Sequence, residues 1–95
     1  MKRLVIAPSA AADLNDIFDY IVQDRPAAAA DLIGRLEVAS RLLAEHPGSG
    51  RSRPELGLGI RTYTVERYLI AYRDATDHVL VIRYYHGARS PDRMV

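Results

Sequence analysis

The segment 83–89, near the end of the sequence, holds the residues whose types and spacing could do chemistry. Arg83, His86 and Arg89 lie close together there, and Arg61 lies farther upstream. Histidine is the side chain most often used for general acid–base catalysis, and arginine stabilises the charge that develops during phosphoryl chemistry. The same residues could instead have a structural role, because a histidine at a strand end often only makes a hydrogen bond and arginines on a sheet often form ion pairs.

Other kinds of chemistry lack the residues they need. The sequence has no phosphate-binding glycine motif with a lysine, no H-E-x-x-H and no G-x-S-x-G. His46, His78 and His86 are too dispersed for a local metal signature, so we expect no metal and no other cofactor. The chain contains no cysteine, which removes disulfides, thiolate metal sites and cysteine nucleophiles.

Length and composition indicate one small globular domain. A chain of 95 residues is long enough for one hydrophobic core and too short for two, so residues 1–95 are expected to form a single domain. No apolar run approaches the roughly 18 residues that a membrane-spanning helix needs, and Pro8 interrupts the opening run before it could form a signal-peptide core. We therefore expect a cytoplasmic protein that does not associate with membranes.

The charge is distributed unevenly along the chain, although the net charge is only +1. Residues 1–48 carry five basic and seven acidic side chains (5 − 7 = −2), and residues 49–95 carry eight and five (8 − 5 = +3). Twelve of the thirteen basic residues are arginine, and Lys2 is the exception. Codon preference in a GC-rich genome explains this ratio, but the planar guanidinium also suits carboxylate and phosphate recognition.

The first elements that must position these residues are a strand and a helix. Residues 3–7 are rich in β-formers and stop at Pro8, which predicts a short strand near a sheet edge. Ser9 is the expected N-cap of the first helix, and Asp13 is expected to complement the helix dipole near the first turn. An apolar stripe follows at helical spacing, formed by Leu14, Ile17, Phe18 and Ile21.

A second helix and a loop come next. Pro26 suits the first turn of a helix, and the apolar spacing that follows predicts a helix over 26–45, packed as a hairpin on the first helix. The segment 47–50 ends that helix because it contains proline and two glycines. Residues 48–59 hold four of the six glycines and are predicted to form an exposed, irregular loop.

The apolar period then changes to two, which is typical of strands. Residues 60–65 and 68–73 are predicted to form a hairpin around the turn Glu66-Arg67. Such a turn places these residues on one face: Arg61, Tyr63, Val65, Tyr68, Ile70 and Tyr72. A third strand over 79–86 begins with four apolar residues, which predicts a central strand covered by helices on one side and by a partner chain on the other.

The resulting fold class is α+β in the order β-α-α-β-β-β, with an N-terminal helical hairpin packed on a small antiparallel sheet. In this order the chain resembles the ParE/RelE superfamily of bacterial toxins over nearly its whole length, from about Leu4 to Pro91. The segments that carry the resemblance are Ala12-Asp13-Leu14, Asp16-Ile17, Tyr20-Ile21, Pro47-Gly48-Ser49-Gly50-Arg51, Gly59-Ile60-Arg61, Tyr68-Leu69-Ile70-Ala71-Tyr72-Arg73 and Arg83-Tyr84-Tyr85-His86-Gly87-Ala88-Arg89.

The resemblance implies the toxin component of a type II toxin–antitoxin system, held inactive by a cognate antitoxin. Such antitoxins have a DNA-binding N-terminal part and an extended C-terminal part that folds onto the toxin. We therefore expect operator DNA to be reached only through the antitoxin, and a higher-order hetero-oligomer to form. The expected antitoxin contacts are Leu14, Ile17, Ile21, Tyr63 and Tyr72.

The superfamily divides by target, and the sequence favours one branch. ParE-like members poison DNA gyrase without being enzymes, whereas RelE-like members cut mRNA on the ribosome. The near-neutral charge and the tail Ser90–Val95, which has no tyrosine, histidine or lysine, favour the gyrase-directed branch. A ribosome-dependent mRNA endoribonuclease and a non-toxic, antitoxin-binding co-repressor remain as alternatives. Arg61, Arg83, His86 and Arg89 are the expected target-binding residues, or the catalytic residues if the chain is a nuclease.

Overall fold

The computed structural model describes residues 2–89 and confirms the predicted α+β fold, with one short strand at 51–52 that the predicted order β-α-α-β-β-β lacks. The strands are β1 (Arg3–Ile6), β2 (Arg51–Ser52), β3 (Ile60–Val65), β4 (Tyr68–Asp74) and β5 (His78–His86), and the helices are α1 (Pro8–Val22) and α2 (Pro26–Glu45). Two short 3-10 turns, Pro47–Ser49 and Pro54–Leu56, flank β2. Within residues 2–89, neither helix combines the length and the apolar character that crossing a membrane requires.

The five strands form one mixed sheet in the order β1-β5-β4-β3-β2. The prediction of an antiparallel sheet is therefore wrong at one edge, where β1 runs parallel to β5 and Ile6 lies opposite Val81. A parallel neighbour needs a long crossover connection, and the helical hairpin together with β2–β4 supplies it. The predicted central position of β5 and the predicted edge position of β1 are both confirmed.

The main hydrophobic core lies between the helices and one face of the sheet. Its buried members are Ala10, Leu32, Leu36, Ala39, Leu43, Ile70, Tyr72, Val79, Val81 and Tyr84. The α1 stripe is less buried than its periodicity suggests, because Leu14, Ile17 and Ile21 only flank this core and Phe18 is 36% exposed. Helix α1 thus keeps apolar surface that residues 2–89 do not cover.

The β3–β4 hairpin has the predicted register. Val65 lies opposite Tyr68 across the turn, and Arg61 lies opposite Tyr72. Glu66 has a φ of 54°, in the left-handed region, as tight hairpin turns require. The aromatic face of this hairpin packs against the chain's own helices, because Tyr63 and Tyr72 both belong to the main core or its margin.

The loop 48–59 is more ordered and more buried than the sequence predicts. Gly50 is buried, and Leu56, which ends a 3-10 turn, is only 2% exposed. Leu56 packs with Ile60, Ala71 and Tyr85 on the face of the sheet that the helices leave open. Part of the cover that the sequence assigned to a partner chain is therefore supplied by this loop.

Candidate functional site

Strand β5 continues past the end of its neighbour β1, and the start of α1 takes the place of the missing strand. Beyond Ile6, the Ala7 N–H donates to the Val81 carbonyl oxygen at 2.9 Å. The Ser9 hydroxyl donates to the Ile82 carbonyl oxygen at 2.9 Å, and the Tyr84 N–H donates to Asp13 Oδ2 at 3.0 Å. Polar groups on β5 that would otherwise lack partners are satisfied in this way.

Two expectations for α1 are corrected by these contacts. Ser9 is not the N-cap, because the helix begins at Pro8 after Ala7 and no side chain caps it. Asp13 lies beyond the first turn, so its carboxylate serves β5 and not the helix dipole. Local sequence patterns carry no signal for this role, because the residues that it joins are about seventy positions apart.

The carboxylate of Asp13 also holds Arg83. The Arg83 guanidinium donates from Nε to Oδ2 at 2.7 Å and from one terminal nitrogen to Oδ1 at 3.0 Å, a two-pronged geometry that is stronger than a single bond. The Asp13 side chain is 13% exposed and that of Arg83 is 46% exposed. The hydrogen bond to Asp13 raises the pKa of Arg83, with partial burial working against it.

A β-bulge next to this pair changes the orientation of the following residues. Tyr72 lies opposite Val81, but Ala71 lies opposite Arg83, so Ile82 has no opposite residue. One extra residue breaks the alternation of the strand. Val81 and Tyr84 consequently both face the main core although they are three positions apart.

The segment after β5 turns back on itself at His86. The Ala88 N–H donates to His86 Nδ1 at 3.1 Å, so in a neutral ring the proton lies on Nε2. The imidazole meets the Tyr68 ring edge to face, with ring centroids 5.2 Å apart. The Arg89 N–H donates to the His86 carbonyl oxygen at 2.9 Å, while the Arg89 residue is exposed.

A groove of about 720 Å³ between α1 and the end of β5 brings these side chains together. It is lined by Asp13, Asp16, Ile17, Tyr20, Tyr68, Arg83, Tyr84, Tyr85, His86, Ala88 and Arg89. One wall is acidic, and the opposite wall carries three of the four predicted site residues. Arg61 is not among them, because it lies on β3 and donates to the Gly50 carbonyl oxygen at 2.7 Å.

Tyr72 stands beside Arg61 and fixes the same loop. Its hydroxyl accepts from the Gly50 N–H at 2.8 Å and donates to the Pro47 carbonyl oxygen at 2.7 Å. The side chain is completely buried, and burial raises the pKa of Tyr72. The sequence expected an antitoxin contact here, but the structure places Tyr72 inside the core, where it anchors the loop.

A second groove, of about 680 Å³, separates α2 from β3. Val38 is 59% and Leu42 is 37% exposed along it, and Tyr63 lies on its β3 side. At one end, Arg35 pairs with Asp31 at 2.9 Å and with Glu66 at 3.2 Å. Val38 and Leu42 are not among the residues predicted from the sequence, because both lie off the main apolar stripe of α2, although their i, i+4 spacing indicates a second stripe.

The described side chains offer no site for a metal ion. Residues 2–89 contain no cluster of three or more histidine, aspartate or glutamate side chains that could coordinate one. The expectation drawn from the tail 90–95 concerns residues outside the described range.

The fold and grooves define a class: a small α+β protein with two helices packed on a five-stranded mixed sheet. The same arrangement occurs in a chain of the solved structure of a chromosomal ParDE TA system from P. aeruginosa. The two chains superpose with a TM-score of 0.76 and are 26% identical, over 90% of this chain and 96% of the other.

Sequence comparisons agree with the structural match. Residues 4–91 match the family described as the ParE toxin of the type II toxin-antitoxin system, parDE. The chain is 38% identical to Toxin RelE2 of Caulobacter vibrioides, over 94% of this chain and 99% of that protein. It is 33% identical to Toxin ParE1 of the same organism, over 90% of each chain. This chain therefore belongs to the ParE toxin family of type II toxin–antitoxin systems.

Proposed function

We propose that this protein arrests bacterial growth by binding DNA gyrase, without catalysing a reaction, and that a cognate antitoxin neutralises it in the cytoplasm. The observation that carries the non-catalytic part is the two-pronged contact between Arg83 and Asp13. A guanidinium that already faces a carboxylate is poorly placed to stabilise a second anion, such as the transition state of RNA cleavage.

The remaining candidate residues support the same proposal. Arg61 is engaged by the Gly50 carbonyl oxygen, and His86 Nδ1 accepts a backbone hydrogen bond. Among residues 2–89, His86 makes no hydrogen bond to a carboxylate that could orient it as a general base. His86 and the exposed Arg89 suit contact with an acidic target surface, while Arg61 and Arg83 suit maintenance of the fold.

The antitoxin segment is proposed to lie along the apolar side of the hairpin and in the groove between α2 and β3. An amphipathic segment that buries Val38 and Leu42 beside Tyr63 would use the mode in which a helix fills a groove. Leu14, Ile17 and Ile21 remain proposed contacts, because each keeps exposed surface on α1. Tyr72 is left out of this set because it is completely buried.

Induced expression without an antitoxin tests the function directly. We expect growth arrest with gyrase-dependent DNA breaks and intact mRNA, and we expect Arg89→Glu to weaken the arrest. Arg25→Glu is the matched control, since it reverses the charge of an exposed arginine at the α1–α2 junction. Codon-specific mRNA cuts with normal supercoiling would contradict the proposal.

Antitoxin binding needs a separate measurement. The antitoxin is expected to be encoded by a short open reading frame immediately upstream. Val38→Asp should weaken its capture about tenfold or more, because burying a carboxylate costs free energy whereas burying a valine is favourable, and Val38→Ile should retain it. Undiminished capture by Val38→Asp would place the antitoxin elsewhere.

The second candidate function, an mRNA endoribonuclease, is favoured by the relative named Toxin RelE2. The same expression experiment decides between the two, because mRNA integrity and DNA breaks are read in the same cells. Normal growth on expression without antitoxin would instead favour the non-toxic co-repressor.

A further inference from the structure

Leu58 lies at the tip of the loop between the short turn Pro54–Leu56 and β3, and it is 90% exposed. The neighbouring glycines Gly57 and Gly59 have φ values of 149° and 75°, a backbone conformation that residues other than glycine rarely adopt. A single exposed leucine is common on protein surfaces. Leu58 differs from an ordinary exposed leucine because hydrogen bonds hold the backbone of its loop and because arginines lie beside that loop.

The loop presents Leu58 rigidly. Leu56, two residues before Leu58, is buried with Ile60 and Tyr85 on the open face of the sheet. The Ile60 N–H donates to the Gly57 carbonyl oxygen at 3.2 Å. Arg73 Nε donates to the carbonyl oxygen of Leu58 itself at 3.2 Å. A loop whose backbone is held in this way loses little backbone freedom when a partner covers it, which favours binding.

Three arginines lie beside the strand that follows Leu58, on the face of the sheet that points away from the helices. Arg73 lies opposite Ile60, and Arg51 lies opposite Thr62, so both share the face of the buried Ile60. Arg53 reaches the same place, since one of its terminal nitrogens lies 3.5 Å from the Thr62 hydroxyl.

One acidic residue lies among these arginines. Glu55 pairs with Arg53 at 2.6 Å and also feels the charge of Arg51, while Arg51 and Arg73 themselves form no close ion pair within residues 2–89. Arg51, Arg53, Leu58 and Arg73 together form what we term the loop surface. It lies at the Asp74 end of β4, whereas the groove that contains His86 lies at the Tyr68 end.

We propose that the loop surface is a docking site for the toxin's target, and that it recognises an acidic protein surface with an apolar socket for Leu58. Arginine forks bind carboxylates in two-pronged pairs, and an exposed apolar side chain beside basic groups suits protein interfaces. A nucleic-acid backbone would use the arginines but would offer Leu58 nothing to bury against. This assignment rests on the proposed toxic function and adds a second contact, distant from Arg89.

Growth arrest gives the first test. Leu58→Asp and Arg51→Glu should each reduce the arrest caused by expression without antitoxin, and Leu58→Met should retain it. Arg51 is the charge variant of choice because none of its side-chain atoms makes a hydrogen bond within the described residues, so its replacement removes no hydrogen bond of the loop. Arg25→Glu is the matched charge control, and thermal unfolding of each purified variant verifies the fold.

Chemical protection gives the second test, because the natural chain has no cysteine. Leu58→Cys should react quickly with a maleimide, and purified gyrase holoenzyme at about ten times its dissociation constant should slow that reaction about tenfold. Arg25→Cys should react at the same rate with and without gyrase. A DNA duplex without gyrase should not protect Leu58→Cys.

The outcomes separate the two proposals. If the unaltered chain causes no arrest, the proposed function and this docking site both fall. If the unaltered chain, Leu58→Asp and Arg51→Glu arrest growth to the same extent, the docking site alone is refuted. Loss of arrest in Arg51→Glu but not in Leu58→Asp, or protection by DNA alone, would point to a nucleic acid and overturn the acidic protein partner. If both variants lose the arrest but gyrase does not protect Leu58→Cys, the docking site is supported and gyrase is refuted as the target.

Discussion

Replacing Asp13 by alanine should destabilise the protein more than replacing its ion-pair partner Arg83. Asp13 is 13% exposed and accepts from two nitrogens of Arg83 and from the Tyr84 N–H. Asp13→Ala leaves that N–H without a partner at the edge of β5, and a buried polar group left unpaired costs about 1–3 kcal/mol. Loss of the charge-assisted bonds to Arg83 adds to this, discounted because Arg83 is 46% exposed.

These contributions predict a loss of about 2–4 kcal/mol in the free energy of unfolding for Asp13→Ala. Asp13→Asn should lose only about 1 kcal/mol, because the amide oxygen can still accept from Tyr84. Arg83→Ala should lose about 1 kcal/mol or less, because it removes an exposed ion pair and leaves the Tyr84 contact in place.

Urea unfolding followed by circular dichroism measures all three variants, provided that the slope with urea stays constant. Thermal unfolding is an independent check, since about 1 kcal/mol corresponds to a shift of about 4–8 °C for a domain of this size. A loss for Arg83→Ala that equals or exceeds that for Asp13→Ala would refute the reasoning. So would a loss below about 0.5 kcal/mol for Asp13→Ala, because surface substitutions away from structural features stay within that range.

Three further predictions concern the buried tyrosines and the loop that they hold. Tyr72→Phe should lower the free energy of unfolding in urea by about 1–3 kcal/mol, because it removes the partner of the Gly50 N–H. Tyr85→Phe should be neutral or stabilising, because no group within residues 2–89 hydrogen-bonds the Tyr85 hydroxyl, and equal losses for the two variants would contradict this. Gly50→Ala should lower the melting temperature, because its Cβ would lie 2.9 Å from the Thr62 carbonyl oxygen and against the Tyr72 hydroxyl, and a melting temperature that stays the same would show that the loop can shift. Burial raises the pKa of Tyr84, so the folded state holds that proton more tightly. The contribution of Tyr84 to the free energy of unfolding should therefore be constant below about pH 10 and fall above it, and Tyr84→Phe should reduce the slope measured in alkaline urea titrations.

The order of the two helices and of the four longer strands, and the hairpin register, could be predicted from the sequence because they depend on local periodicity, whereas the two-residue strand β2 is too short to show any. The bounds of α2 follow from Pro26 and the glycine-containing segment after Glu45, and the register of β3 on β4 follows from the two-residue turn at Glu66. The family could be recognised because its motifs occur in a fixed order along the chain, which is itself a property of the sequence.

The candidate site was predicted only in part. The sequence brought Arg83, His86 and Arg89 together because they are neighbours along the chain, and they do line one groove. The sequence did not show that Arg61 lies apart from these three residues. Its guanidinium donates to the carbonyl oxygen of Gly50, a contact that exists only in the folded chain.

The sequence by itself determined the α+β class, the helical hairpin, the central apolar strand and the segment of greatest interest, since each follows from composition and spacing within a short window. The tertiary structure decided what the polar groups do. Asp13 contacts Arg83 because β5 extends beyond the end of β1 and the start of α1 lies along the part of β5 that β1 does not reach. The hydroxyl of Tyr72 is buried because the loop that contains Gly50 covers it. Both outcomes depend on partners far apart in sequence, whose meeting is fixed by strand lengths and packing and not by any local pattern.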